Sequence, residues 1–157
     1  MNGTGLAERR GIRTEDSVPW AAVCYDGDPG SIAAARRFTG EFLARMGGTT
    51  GTGPVPAQAV EMARLIVSEL VTNACKYAPG PCLLELELAD GLLEIGVRDA
   101  NPALPVLAPP QPDRVGRHGL EIVLALSESF HARREPVGKR VLARLSLASD
   151  GTDDPEV

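Results

Sequence analysis

Glu69, Asn73 and Lys76 stand four and three residues apart within the largely apolar stretch from Leu65 to Tyr77. On a helix that spacing gathers them within roughly 60° of arc. An acid, an amide and an amine on one stripe could hold a metal ion and a polyphosphate. The same three residues would equally make an ordinary solvated face. A second candidate is Asp99, which follows Leu93, Ile95 and Val97 at even spacing. Either it continues their buried side, where a carboxylate is costly unless something hydrogen-bonds to it, or the strand has ended and Asp99 caps a turn. A third group is Arg114, Gly116, Arg117, His118 and Gly119, just ahead of Leu120. Gly119 at a helix entrance is the type of place where backbone N–H groups and the helix dipole attract phosphate.

The elements that must position these residues follow from periodicity and punctuation. Trp20 to Tyr25 is a short apolar run suited to a first strand. Asp28-Pro29-Gly30-Ser31 supplies a helix start, with Ser31 as N-cap. Ile32, Ala35, Phe38, Phe42 and Met46 then recur at helical spacing, and Gly47-Gly48 ends that helix. After a Gly/Thr link over 49–55, Pro56 opens a long helix that Pro79-Gly80 closes. Leu84, Leu86 and Leu88 alternate with Glu85 and Glu87 as in a half-buried strand. Asp90-Gly91 is a two-residue hairpin turn, since both residues tolerate positive φ. The return strand carries Asp99.

From Asn101 to His118 the chain holds five prolines and little that could pack. A long loop of this kind inside a compact domain is usually functional. A helix from Leu120 to about Ser129 follows, then strands over Phe130 to Arg134 and Arg140 to Leu147. Strands joined by hairpins, with helices between, predict an α+β fold: a two-layer sandwich with a mostly antiparallel sheet and helices on one face. The expected organisation is a flexible arm over 1–17, one domain over 18–148 and a flexible acidic tail over 149–157.

Composition narrows the function. The 157 residues are 43% hydrophobic and 24% charged, values of a globular domain. Only 4% are aromatic, so the core must be built from Leu, Val, Ile and Ala. A net charge of −5 argues against a general nucleic-acid binder. Cys24, Cys75 and Cys82 have no metal-ligand spacing, and an odd count does not suggest a disulfide framework. No stretch approaches a membrane span and no signal-peptide segment opens the chain, so a cytoplasmic location is expected.

The order of elements and the motifs together resemble a known superfamily. Ser68-Glu69-Leu70-Val71-Thr72-Asn73-Ala74 resembles the N-box of the Bergerat-fold ATPases, shared by gyrase, histidine kinases and the heat-shock chaperones. Val97-Arg98-Asp99 resembles their adenine-binding aspartate box. Gly116-Arg117-His118-Gly119-Leu120 resembles the glycine box that follows the ATP lid. Within the superfamily the chain is most similar to the small bacterial anti-sigma-factor serine kinases, over roughly Val18 to Leu147.

That resemblance implies an ATP and Mg²⁺ site. Asn73 would be the side-chain oxygen ligand of Mg²⁺, the remaining positions going to phosphates and water. Glu69 would be the general base for an incoming serine hydroxyl. Lys76 would lie near the phosphates, and Asp99 would accept a hydrogen bond from the adenine amino group. Gly116 and Gly119, with Leu120 behind them, would let the backbone close on the phosphates. Arg114, Arg117 and His118 would neutralise charge on the transferred phosphoryl group. The implied partners are a STAS-domain anti-anti-sigma protein, a sigma factor and a second copy of the chain.

Two departures from the pattern bear on the adenine end. Asn101 and Ala103 stand where the aspartate box has glycines, and Asn101-Pro102 is expected to rebuild the turn with Asn101 in left-handed geometry. Gly138 is followed by Lys139 and Arg140 where the family has a threonine that helps hold adenine. Two functions therefore stand: an ATP-dependent serine kinase that silences a sigma factor, or a non-catalytic binding module with weak or no ATP affinity. A sensor histidine kinase fits poorly, since no room is left for a helical domain carrying a phospho-accepting histidine, and His118 and His131, the only histidines, fall in the loop and on a strand.

Overall fold

A computed structural model describes residues 7–13, 18–46, 54–77, 80–101 and 119–147. Six strands form one sheet: β1 (Ala7–Arg13), β2 (Val18–Tyr25), β3 (Cys82–Ala89), β4 (Leu92–Asp99), β5 (Ser129–Arg134) and β6 (Lys139–Ser146). Three helices accompany them: α1 (Gly30–Met46), α2 (Ala57–Tyr77) and α3 (Gly119–Leu126). The strand order is β1-β2-β3-β4-β6-β5, and every ladder is antiparallel.

Register puts one residue set on one face. Ala21, Leu86, Ile95 and Ala143 follow one another across four strands, as do Val23, Leu84, Val97 and Val141. All eight are buried. The helices pack on this face, α1 against β2 and β3, α2 against β3, β4 and β6, and α3 against β5. The outer face is polar: Glu85 accepts from Arg98 at 3.2 Å and Arg140 at 3.3 Å, and Glu94 from Arg144 at 3.0 Å. The expected two-layer α+β sandwich is present.

Several local expectations hold and several shift. The β3–β4 turn has φ of 54° at Asp90 and 75° at Gly91, the geometry a twisted hairpin requires. Helix α1 is capped by Asp28 rather than Ser31. The Ser31 N–H donates to Asp28 Oδ1 at 3.1 Å, and Pro29, which has no N–H to satisfy, follows the cap directly. Ser31 is instead buried in the first turn, its hydroxyl 3.3 Å from the same oxygen. Helix α3 ends at Leu126, short of Ser129: the Ser127 N–H still makes the helical bond to the Val123 carbonyl, but the Glu128 N–H goes to the Arg144 carbonyl of β6 at 2.7 Å. Within the arm expected over 1–17, Ala7–Arg13 forms an edge strand on β2. Its sequence has no alternation, so main-chain pairing rather than side-chain pattern makes that strand. The acidic tail lies outside the described residues.

Candidate functional site

Helix α2 sets the position of the N-box residues. Ala59, Ala63, Ile66, Val67, Leu70, Val71 and Ala74 form its buried stripe. Arg64 turns toward α1, since a Cβ on Gly40 would meet its guanidinium. Asn73 is nine residues further on, roughly 180° around the helix, with Glu69 and Lys76 beside it. These three residues therefore lie on the flank away from α1. That is the side where α3 packs against α2. Glu69 and Asn73 are half-buried, while Lys76 is exposed with its Nζ 5.2 Å from the Tyr77 ring centroid. A tyrosine face satisfies that ammonium locally.

Asp99 completes the arrangement at the C-terminal end of α2. Strand β4 runs through to Asp99, whose side chain is 3% exposed and faces the helices. The first of the two readings of Asp99 is the observed one, and the carboxylate also closes a small turn, accepting from the Asn101 N–H at 2.9 Å. Asn101 Nδ2 donates to the Tyr77 carbonyl at 2.7 Å, tying the strand end to the last residue of α2. Asn73 lies one turn before Tyr77 and Glu69 two, so about 6 and 12 Å along the helix separate them from this latch. A carboxylate, an amide and an acid are thus strung along a line comparable in length to a nucleotide.

Asn101 does not adopt the left-handed geometry expected of it. Among the described residues, Asp90 is the non-glycine residue with positive φ. Asn101 instead closes the turn through its N–H on Asp99 and its side chain on Tyr77.

Lys139 is the residue that sequence reasoning undervalued. It pairs with Asp99 across the β4–β6 ladder and points to the same buried face. Its Nζ is 3.0 Å from Asp99 Oδ1 and 2.9 Å from Oδ2. The preceding Gly138 has φ of 79°, and a Cβ there would overlap the Asp99 carbonyl oxygen. Only glycine lets β6 begin this close to β4. The signal was present: Lys139 extends the alternation of Val141, Ala143 and Leu145 backwards, as Asp99 extends that of β4.

Cys82 lies beside Asp99 at the start of β3. Burial pushes its thiol up to about 12, with Cys75, Cys24, Asp99 and Asp26 adding to the rise. The Cys75 thiol is also raised, by burial first and then by Asp28 and Asp26. Both stay protonated at neutral pH and contribute as small apolar groups.

Gly119 and Leu120 begin α3. Arg114, Gly116, Arg117, His118 and Ala103 lie outside the described residues. Among the described residues, no group of three or more His, Cys, Asp or Glu is placed to hold a metal. No helix among them is long and apolar enough to cross a membrane.

Residues 26–145, more than half of the chain, match the family described as "Histidine kinase-like ATPase domain". The chain belongs to that family. Its α+β architecture is consistent with the Bergerat-like ATPase fold, and the family description implies ATP binding. No curated protein matches this histidine kinase-like ATPase domain. Among solved structures it is similar to the histidine kinase domain from Erythrobacter litoralis EL346 blue-light activated histidine kinase, at 20% identity and TM-score 0.48. That alignment covers 75% of this chain and 63% of the other, so the chain spans less than two thirds of that structure's length. A second structure, the Erythrobacter litoralis EL346 blue-light activated histidine kinase, aligns at 14% identity and TM-score 0.47, covering 96% and 78%.

Proposed function

We propose that this ATPase domain is an Mg²⁺- and ATP-dependent protein serine kinase that phosphorylates a STAS-type anti-anti-sigma protein and sequesters a sigma factor. The observation that supports it is the pairing of Glu69 and Asn73, one turn apart and half-buried, on the flank of α2 turned away from α1. Asn73 offers one hard, neutral oxygen, a donor that suits Mg²⁺, which takes its other ligands from phosphates and water. Bound there, the ion would neutralise charge on the phosphates. Glu69 takes the proton from an incoming serine hydroxyl as that oxygen bonds the γ-phosphorus and ADP leaves. Asp99 marks the base end, and pairing of two copies through the sheet and α1 belongs to the same reading.

The test is phosphotransfer to a candidate STAS-domain protein with γ-labelled ATP. Phosphoserine should accumulate on the partner with the wild-type chain and fall by at least about 100-fold with Glu69→Ala, the scale of a lost general base. Equal labelling by the two proteins would remove Glu69 from the chemistry.

A second reading is a binding module that regulates by protein contact with little use of ATP. The ion pair on Asp99 favours it, because the carboxylate assigned to adenine already has a partner. Labelling of the STAS protein at any Glu69-dependent rate excludes this reading.

A further inference from the structure

The Asp99 carboxylate is closed from within the protein. Lys139 Nζ lies 3.0 Å from Oδ1, 2.9 Å from Oδ2 and 3.3 Å from the Asn101 carbonyl oxygen. The ammonium therefore donates to Asp99 Oδ1 and to the Asn101 carbonyl, with Oδ2 in ion-pair contact beside them. The Asn101 N–H takes a further lone pair of Oδ1 at 2.9 Å. The two side chains are only 3% and 9% exposed, and their opposite charges cancel inside the fold. Nor is Lys139 a loose surface lysine. Its backbone is held in the β4–β6 ladder opposite Asp99, with Gly138 pressed against the Asp99 carbonyl.

We propose that Lys139 stands in for the amino donor of a purine base, so that this site takes nucleoside triphosphates through their phosphates and does not select adenine over guanine. The proposal rests on the reading of Glu69, Asn73 and Asp99 as a nucleotide site. At the 6-position adenine presents an amino donor, and guanine a carbonyl acceptor. A free buried carboxylate would welcome the first and repel the second. Strong discrimination of this kind arises when the wrong ligand leaves a buried polar group unpaired. With Lys139 on Asp99 no such group waits for the base. For adenine to reach the carboxylate, the buried ammonium would have to give up its ion pair and both hydrogen bonds and find new acceptors elsewhere.

The experiment is a titration of the full chain with Mg-ATP and Mg-GTP, using Mg-tripolyphosphate as a base-free control. Wild type should bind ATP and GTP with affinities within about threefold, less than the roughly tenfold that one ordinary hydrogen bond corresponds to. In Lys139→Thr the ATP affinity should rise by about tenfold or more, by the same hydrogen-bond arithmetic, with GTP unchanged. Lys139→Arg keeps a cation on Asp99 and should keep the ratio near one. Should Lys139→Thr fail to fold, the wild-type and arginine ratios decide alone. A wild-type preference for ATP above about tenfold overturns the inference while leaving the nucleotide site standing. So does a folded Lys139→Thr whose ATP-to-GTP ratio has not moved. Absence of binding by any of the three ligands overturns both this inference and the nucleotide reading beneath it.

Discussion

Lys139 and Asp99 form a buried ion pair across the β4–β6 ladder, with the ammonium 3.0 and 2.9 Å from the two carboxylate oxygens. Pairs of this kind hold together because desolvation has already been offset by mutual attraction and by added hydrogen bonds. Removing one partner leaves a lone charge inside the fold. Lys139→Met and Asp99→Leu should each lower unfolding stability in urea, the lysine change by about 3–5 kcal/mol because it strands a carboxylate. The double variant Asp99→Leu/Lys139→Met should recover most of that loss. Single changes costing less than about 1 kcal/mol would mean that the pair is open to water.

Asn101 links the strand end to the helix end through a 2.7 Å bond to the Tyr77 carbonyl. Because that contact is exposed, Asn101→Ala should cost only about 0.5–1.5 kcal/mol. Its clearer effect should be local, as faster amide hydrogen exchange in the last turn of α2. Exchange rates in that turn equal to wild type would show that the latch does not hold the helix.

Gly138 combines a φ of 79° with a backbone contact that leaves no room for a side chain. Gly138→Ala adds a Cβ against the Asp99 carbonyl and forces an L-residue into a strained region. The expected loss is at least about 1–3 kcal/mol, read as a lower midpoint in chemical denaturation. An unchanged midpoint would place the turn elsewhere.

Cys82 should resist alkylation. With its thiol pushed up to about 12, the thiolate is a minute fraction at pH 8, and burial blocks access. Iodoacetamide at pH 8 should therefore spare Cys82 in the native protein and modify it in urea, as read by peptide mass. The sign for stability follows from linkage. The folded state keeps the proton that the unfolded state has lost above about pH 9, so this contribution is complete below that value and is lost between about pH 9 and 12. Rapid native labelling of Cys82 would contradict its burial.

Much of this architecture was legible because alternation and helical spacing register burial directly. Leu84, Leu86 and Leu88 gave β3 and Asp90-Gly91 gave the turn, while parity left Asp99 between a buried face and a turn cap. Edge strand β1 was not legible, since AERRGIR pairs by main chain without an apolar pattern. Nor was the Asp28 cap, because Asp28 and Ser31 are both good capping types and only geometry separates them. Lys139 was noticed for the threonine it replaces. Its partner became evident when the register set two opposite charges face to face, which residue types on separate strands do not reveal. Sequence placed Glu69 and Asn73 on one stripe of a helix, and the packing of α1 and α3 told which flank that stripe occupies.

The central claim, that the Asn73 flank of α2 holds Mg-ATP, is tested most directly by calorimetric titration of wild type and Asn73→Ala with ATP, each with and without Mg²⁺. Saturable binding should appear with Mg²⁺ and weaken by about tenfold or more on removal of either the ion or the Asn73 amide, the scale of one good polar contact. Mg-ATP binding of equal strength in both proteins would contradict it.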